Sequence, residues 1–250
     1  MNRPDLYVFA ISHYCEKARW ALDALGITYT LRHLAPAAHF AKLESLGAPA
    51  TSLPALVSGG VVVQGSDALF DWADATTKSA ARLAPDAVHA EGCLALEKRL
   101  DEAAGVHVRR YYYSEALVEH SRTVLPIFAD DLEAGDRAWL EENWDNVHPL
   151  MAARMDLGRE QWNESRAIVT RELDFVDGLL ADGRRYLVGD RFSRADITAA
   201  SLLAPLARPK EHPTYGRLQV PPRVAADIEC WSDRPVTHWV AEMYREHRGG

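Results

Sequence analysis

Strand-type patterns in this chain are largely confined to the residues before about position 76. Two short apolar runs, residues 6–10 and 27–31, flank a helical pattern, and this order predicts a parallel strand pair joined by a right-handed crossover. Residues 55–57 and 61–64 flank the turn Ser58-Gly59-Gly60, which predicts a β-hairpin. Together these elements predict a small mixed sheet of four strands with helices on its faces.

The remainder of the chain shows helical periodicity. Residues 88–119 and 161–181 each predict one long helix. Ser193 and Asp196 have the spacing of a capping box at the start of another helix. The proline-rich residues 208–222 predict a loop, which can lie over a pocket as a lid.

The expected fold class is therefore an α/β domain over residues 1–76 followed by an all-α domain over residues 88–250. The length of 250 residues suffices for two domains with buried cores, and 48% hydrophobic with 26% charged residues is typical of a soluble globular protein. Ser66 is expected to be the N-cap of the third helix of the α/β domain.

Composition excludes several classes of function. A formal net charge of −8 argues against nucleic-acid binding, because no basic stripe is present to neutralise phosphates. No apolar stretch approaches the roughly 18 residues of a membrane span, and the N-terminus lacks the apolar run of a signal peptide. The three cysteines are widely spaced and odd in number, which favours a reducing, cytoplasmic location over a disulfide framework.

A nucleophile-type side chain lies where the first strand gives way to the first helix. Residues 12–19 read Ser-His-Tyr-Cys-Glu-Lys-Ala-Arg, and a helix N-terminus with its free N–H groups stabilises an anion. The Ser-x-x-Cys spacing resembles the Cys-x-x-Cys of thioredoxin-like redox proteins with serine in the first place. Ser12 is then either a plain helix cap or a donor to a thiolate brought by a ligand. Cys15 is either a buried apolar residue or a thiol that exchanges disulfides.

Three further segments complete a recognisable pattern. They are Ser52-Leu53-Pro54-Ala55-Leu56, Gln64-Gly65-Ser66-Asp67-Ala68-Leu69 and the run Gly-Asp-Arg-Phe-Ser-Arg-Ala-Asp-Ile at residues 189–197. In their order and spacing, together with residues 12–19, they resemble the motifs of the cytosolic glutathione S-transferase family, of the serine or cysteine type. The resemblance covers nearly the whole chain, and it implies a thioredoxin-like N-terminal domain and a helical C-terminal domain.

The resemblance implies an enzyme that ionises the glutathione thiol and directs it at a hydrophobic electrophile. It implies Ser12 as the catalytic residue, with Cys15 as the alternative. It places glutathione, as co-substrate, against Ser12, Leu53, Pro54, Gly65, Ser66 and Asp67, with the Leu53–Pro54 bond cis. Arg109, Tyr112 and Tyr113 are expected to line the second-substrate pocket. No metal is implied, and the expected partner is a second copy of the chain in a detoxifying homodimer.

Some alternatives remain open. Gly65 stands where the family has Glu or Gln, so one side-chain contact to the γ-glutamyl group is missing. Lys42 or His39 is a candidate for the glycyl carboxylate, although both are expected to be solvated. A glutathione-dependent reductase, isomerase or dehalogenase is the second enzymatic class, and a non-catalytic binding protein with the same fold is the third reading.

Overall fold

The structure is a computed structural model that describes residues 3–79 and 81–248. Four strands form one mixed sheet, as predicted. The strands are β1 (Asp5–Val8), β2 (Thr30–His33), β3 (Ala55–Ser58) and β4 (Val61–Gln64). Their order across the sheet is β2-β1-β3-β4, with β1 parallel to β2 and antiparallel to β3, and with β3 and β4 forming the hairpin.

Helices make up most of the rest of the described chain. They are α1 (His13–Ala24), α2 (His39–Ser45), α3 (Ser66–Thr76), α4 (Ala90–Arg99), α5 (Val106–Ala116), α6 (Ser121–Ala129), α7 (Ala134–Arg154), α8 (Arg159–Leu180), α9 (Arg194–Ala207), α10 (Pro222–Trp231) and α11 (Pro235–His247). A π-helical segment, Leu100–Gly105, joins α4 to α5, and a short 3-10 helix spans Tyr215–Arg217. Within residues 3–79 and 81–248, no helix is both long and apolar enough to cross a bilayer.

Helix α1 is the element that joins the sheet to the helical region. It packs against α3 on one side and against α9 on the other. Trp20 and Leu22 of α1 are fully buried, as are Leu6 and Val8 on β1, so one continuous apolar core runs from the sheet into the helices. Burial of side chains of this size stabilises the folded chain by about 1.5–3 kcal/mol each.

The sequence expectations were wrong in several places. The second strand spans Thr30–His33, three residues later than the run at 27–31 suggested. Ser66 does not cap α3, because the N-cap position is Gly65, with φ of +99°, and Ser66 is the first helical residue. Helices α2, α6 and α7 had not been predicted. In the 21-residue α7 only Leu140, Trp144 and Val147 are buried, which leaves a narrow apolar stripe.

The proline-rich segment 208–222 is packed into the fold instead of lying over a pocket as a lid. His212, Thr214 and Tyr215 are buried, and the Thr214 hydroxyl donates to the Ala10 carbonyl at 2.9 Å. The His212 and Tyr215 rings stack at a centroid distance of 3.6 Å. The segment therefore packs against the loop that follows β1 and supports it.

The predicted capping box at the start of α9 is confirmed. Asp196 is fully buried, and one of its oxygens accepts from the Leu187 N–H at 2.7 Å. The other oxygen accepts from the Ser193 N–H at 2.8 Å and from the Ser193 hydroxyl at 3.0 Å. One carboxylate thus satisfies the donors of both the helix start and the preceding turn.

We expect Asp196→Ala to lower the free energy of unfolding by about 2–4 kcal/mol, because two buried backbone N–H groups lose their acceptor. Urea denaturation measures this as a lower midpoint at an unchanged slope. The matched control is Asp190→Ala in the same turn, where the carboxylate is exposed. Equal midpoints for the two variants would contradict the assigned role of Asp196.

Candidate functional site

The N-terminus of α1 presents the Ser12 hydroxyl to a cavity of about 330 Å³. Ser12 is the N-cap residue, and its Oγ accepts a hydrogen bond from the Cys15 N–H at 3.3 Å. The hydroxyl proton lies within reach of the Cys15 sulfur, and the same proton can instead be donated to a ligand in the cavity. The partly positive helix end and this donor meet at one wall of the cavity, an arrangement that stabilises an anion.

Cys15, in the first turn of α1, is buried in the core, where its thiol lies within hydrogen-bonding reach of the Ser12 hydroxyl. Its side chain is 1% exposed, and burial raises the pKa of its thiol to about 11. At neutral pH the group is therefore a neutral thiol out of contact with solvent, and the reactive form, the thiolate, is scarce. Of the two candidate residues in the Ser-x-x-Cys segment, Ser12 lines the cavity, whereas Cys15 is buried behind its wall.

The two residues after Ser12 anchor the start of α1 to the π-helical segment. His13 Nε2 lies 2.9 Å from the Gly105 carbonyl oxygen, and the Tyr14 hydroxyl donates to the Asp101 carbonyl at 2.6 Å. Burial lowers the pKa of His13 to about 3, so the ring is neutral and Nε2 carries the proton that it donates. Gly105 is required here, because a Cβ would overlap the Tyr14 hydroxyl.

The loop before β3 faces the Ser12 end of α1. The Leu53–Pro54 peptide bond is cis, as the resemblance implied. The Gln64 side chain braces this loop through the Ala50 N–H at 3.0 Å and the Ala50 and Ser52 carbonyls at 2.8 and 2.6 Å. Among the described residues, the backbone N–H and C=O of Leu53 have no hydrogen-bond partner. They are available to an extended peptide ligand.

Gly65, Ser66 and Asp67 form the turn into α3, beside the same loop. The Gly65 N–H donates to the Pro54 carbonyl at 3.0 Å. A side chain at position 65 would meet both a positive φ and the Asp67 carboxylate, which explains a glycine where the family has Glu or Gln. Ser66, Asp67 and Pro54 line a second cavity, of about 620 Å³.

The two cavities form one groove. Both are lined by Tyr14, Ser52, Leu53 and Arg109, so these residues mark the point where the cavities meet. The second cavity is rich in acidic side chains from α3, α4 and the π-helical segment. They are Asp67, Asp71, Glu97, Asp101 and Glu102. The first cavity differs in that no carboxylate lines it among the described residues.

A buried ion cluster lies beneath the acidic cavity. Lys17 of α1 is fully buried and bonds Glu97 at 2.9 Å and Asp101 at 2.7 Å. Arg194, at the start of α9, bonds the other oxygen of Glu97 at 2.6 Å and Asp71 at 2.6 Å. Burial raises the pKa of Asp101, although the Lys17 ammonium acts against this shift. The cluster ties α1, α3, α4 and α9 together.

The helical wall of the first cavity departs in one place from the sequence prediction. Arg109 and Tyr113 line it, one turn apart on α5 at positions i and i+4. Tyr112, predicted to accompany Arg109, is buried and does not line this cavity. It lines a small void of about 20 Å³ with Ile11 and Tyr215, and Arg109 and Tyr113 border this void as well.

Five residues of the wall come from elements or segments that the sequence analysis did not assign. They are Phe128 of α6, Leu150, Met151 and Arg154 of α7, and Met155 after it. The guanidinium of Arg154 lies over the Phe40 ring at 4.4 Å from its centroid. The helical spacing of Leu140, Trp144 and Val147 was the signal that would have located α7.

The candidates for a glycyl carboxylate are also separated by the structure. Lys42 lies across the Tyr7 ring at 5.6 Å and lines a different groove. His39 lines the first cavity with its Nε2 at 3.1 Å from the Thr51 carbonyl, and burial lowers its pKa to about 4, so it is neutral. Arg154 is the cation that this end of the cavity offers.

Comparisons with known proteins agree with this architecture. The sequence profile of the glutathione S-transferase N-terminal domain matches residues 6–80, and that of the glutathione S-transferase C-terminal domain matches residues 147–220. Among curated protein sequences, none matches the chain significantly.

Solved structures share the fold at low sequence identity. A glutathione S-transferase from Rhodospirillum rubrum F11 is 19% identical with a TM-score of 0.64, over 98% of this chain and 90% of that one. The β-etherase LigF from Sphingobium sp. strain SYK-6 is 20% identical with a TM-score of 0.63, over 96% and 99%. The glutathione transferase GSTFuA3 from Phanerochaete chrysosporium is 16% identical with a TM-score of 0.64, over 100% and 97%. With its sheet, its helical region and both profiles in the expected order, the chain belongs to the glutathione S-transferase family.

Proposed function

We propose that this protein is a glutathione transferase in which the Ser12 hydroxyl stabilises the glutathione thiolate for attack on an electrophilic small molecule. The observation that carries the proposal is the groove between Ser12 and Leu53. It combines the Ser12 hydroxyl at a helix N-terminus with the unpaired backbone groups of Leu53 opposite. Family membership supplies glutathione as the thiol.

The charges along the groove orient the tripeptide. Its γ-glutamyl end lies at Ser66 and the start of α3, with the ammonium toward the acidic side chains of the second cavity. Its cysteinyl backbone pairs with the Leu53 N–H and C=O. Its glycyl carboxylate reaches Arg154 in the first cavity. As part of the same proposal, residues 1–76 form the glutathione-binding domain and residues 88–250 the second-substrate domain.

The proposed reaction requires the protein only to position the two reactants and to stabilise the negative charge on the sulfur. An unperturbed thiol has a pKa near 8.5, and a helix N-terminus with one good donor lowers it by about one to two units, or about 1.4 kcal/mol each. The thiol proton leaves to solvent, and Ser12 donates to the sulfur. The thiolate then forms a C–S bond with the acceptor, whose leaving group departs with its bonding electron pair.

Thiol–disulfide exchange through Cys15 is the less favoured alternative, because the thiol is buried and its pKa is raised. A non-catalytic binding protein would retain the Leu53 groove and would have no need of a free hydroxyl at Ser12. The three Ser12 variants and the labelling experiment described below separate these functions. The cytoplasm and a homodimer remain the expected setting, as in the resemblance.

We expect Ser12→Ala to slow conjugation of 1-chloro-2,4-dinitrobenzene by roughly tenfold to a hundredfold, because one hydrogen bond to a charged sulfur is lost. The pH profile of kcat/KM should move to higher pH as the bound thiol pKa rises. Ser12→Thr, which keeps a hydroxyl and a good N-cap, should retain most of the activity.

Ser12→Gly controls for helix capping, since glycine costs only a few tenths of a kcal/mol at an N-cap and offers no donor. It should be as slow as Ser12→Ala while unfolding at nearly the urea midpoint of the parent protein. Parental activity and an unmoved pH profile in both variants would reduce Ser12 to a helix cap.

A second prediction tests the glycyl end. The parent protein should bind glutathione about tenfold more tightly than its glycyl ethyl ester, and Arg154→Gln should remove most of that difference, because the ester carries no glycyl carboxylate. Calorimetry measures the four affinities. Lys42→Gln is the matched control, and a lost preference there instead of in Arg154→Gln would place the glycyl end in the other groove.

A third prediction concerns the cysteines. Oxidised glutathione at neutral pH should modify the exposed Cys230 and leave the buried Cys15 and Cys93 unmodified. Mass spectrometry should find one adduct on the parent protein and none on Cys230→Ser. An adduct on Cys15 would favour the reductase function over the transferase function.

A further inference from the structure

The first cavity, next to Ser12, contains two guanidinium groups and, among the described residues, no carboxylate. They belong to Arg109 and Arg154. Neither forms an ion pair within residues 3–79 and 81–248. The neighbouring Arg110 is the contrast, since it bonds both Asp156 and Glu164. Arg154 is exposed, whereas Arg109 is half-buried, and a cation left unpaired in a partly buried site is costly unless a ligand supplies the anion.

Arg109 is the more constrained of the two. It is half-buried, it lies where the two cavities meet, and its Nε is buried without a hydrogen-bond partner in the described chain. The side chain cannot give up its proton to relieve this cost. Its planar fork of donors matches a carboxylate in a bidentate arrangement.

A charge count decides which anion Arg109 receives, and the count depends on the proposed function. Bound glutathione brings two anions into this cavity, the thiolate and the glycyl carboxylate. The thiolate has Ser12 and the N-terminus of α1, and the glycyl carboxylate has Arg154. Among the described residues that line this cavity, the guanidinium of Arg109 is then left without a counter-charge. It also borders the acidic second cavity, but none of the carboxylates there forms an ion pair with it.

The surroundings of Arg109 define the rest of the ligand. The remaining wall is aromatic and thioether-rich, with Tyr113, Phe128, Met151 and Met155. Such side chains pack well against a flat ring. An acceptor that matches both the guanidinium of Arg109 and the aromatic and thioether side chains has an aromatic ring and an anionic group at the end away from the reacting carbon.

We propose that the electrophilic substrate is an aromatic compound bearing a carboxylate, and that Arg109 binds this carboxylate. Glutathione sulfur attacks the electrophilic carbon, the C–S bond forms, and the leaving group departs with the bonding electrons. The carboxylate takes no part in bond making. Its binding by Arg109 fixes the ring beside Tyr113 and presents the reacting carbon to the thiolate at Ser12.

The first arm of the test is a binding measurement, which needs no turnover. The probes are S-(p-carboxybenzyl)glutathione and S-(p-carbamoylbenzyl)glutathione, which share their size and differ in charge. The parent protein should bind the carboxylate conjugate roughly tenfold to a hundredfold more tightly in calorimetry. The ratio of the two affinities should fall toward one in Arg109→Gln. Arg109→Lys, which keeps the charge and loses the fork, should show an intermediate ratio.

The matched control is Arg171→Gln, which removes the same charge from an exposed position on α8 and should keep the parental ratio. A parental protein that binds glutathione but shows no preference between the conjugates would overturn the inference alone. A preference that survives in Arg109→Gln and vanishes in Arg154→Gln would also overturn it. Failure of glutathione and both conjugates to bind would overturn the proposed function and this inference together.

The second arm is kinetic. The acceptors are p-carboxybenzyl chloride and p-carbamoylbenzyl chloride, with chloride as the leaving group. The ratio of their kcat/KM values should fall by the same factor in Arg109→Gln as the ratio of affinities, because intrinsic reactivity cancels when variant and parent are compared. If Arg109→Gln lowers kcat/KM equally for both acceptors and shifts its pH profile, Arg109 stabilises the thiolate and the inference is wrong.

Discussion

The rest of the structure depends on the ion pairs of the buried Lys17 ammonium. It has no exposed surface, so its charge is acceptable only because Glu97 and Asp101 supply two carboxylates within 2.9 Å. Glu97 in turn pairs with Arg194, which closes the cluster from the α9 side. Removing one member of such a group leaves an uncompensated buried charge, at a cost of about 3–5 kcal/mol. The cluster therefore fixes the position of α1, and the sheet with it, relative to the helices.

The Ser12 end of α1 is held in place by the π-helical segment. In a regular α-helix the Asp101 and Gly105 carbonyls would accept only from backbone N–H groups of the helix. Here the Asp101 carbonyl also accepts from the Tyr14 hydroxyl, and the Gly105 carbonyl from the His13 ring. The irregular turn of the long helix thus becomes the support for the N-terminus that holds Ser12. Because α5 continues directly from this turn, the same segment sets the helical phase that brings Arg109 and Tyr113 to the cavity.

The sequence was sufficient wherever local chemistry decides the structure. The β-hairpin, the capping box of α9 and the order of strand, Ser12 and helix were all predictable from neighbouring residues. The phase of α5 was not, so Tyr112 was expected at the cavity together with Arg109 and Tyr113, and of the three only Arg109 and Tyr113 line it. Arg154 was missed for a different reason: it lies far from the glutathione motifs in sequence, on a helix with a narrow apolar stripe.

The distribution of charge along the groove suits the anionic peptide that we propose as the ligand of this protein of net charge −8. Long-range attraction is absent, since the net charge has the same sign as the ligand and charges farther apart than a Debye length of about 8 Å are largely screened. The ligand must therefore be recognised at short range, inside the cavity, where a lower effective dielectric strengthens the attraction between its anions and the guanidinium groups of Arg109 and Arg154. The acidic cavity next to it repels the thiolate and the glycyl carboxylate and accepts the ammonium. In the reverse orientation of the proposed ligand the glycyl carboxylate would lie among the acidic side chains, so the charges of the groove favour the direction in which this carboxylate reaches Arg154.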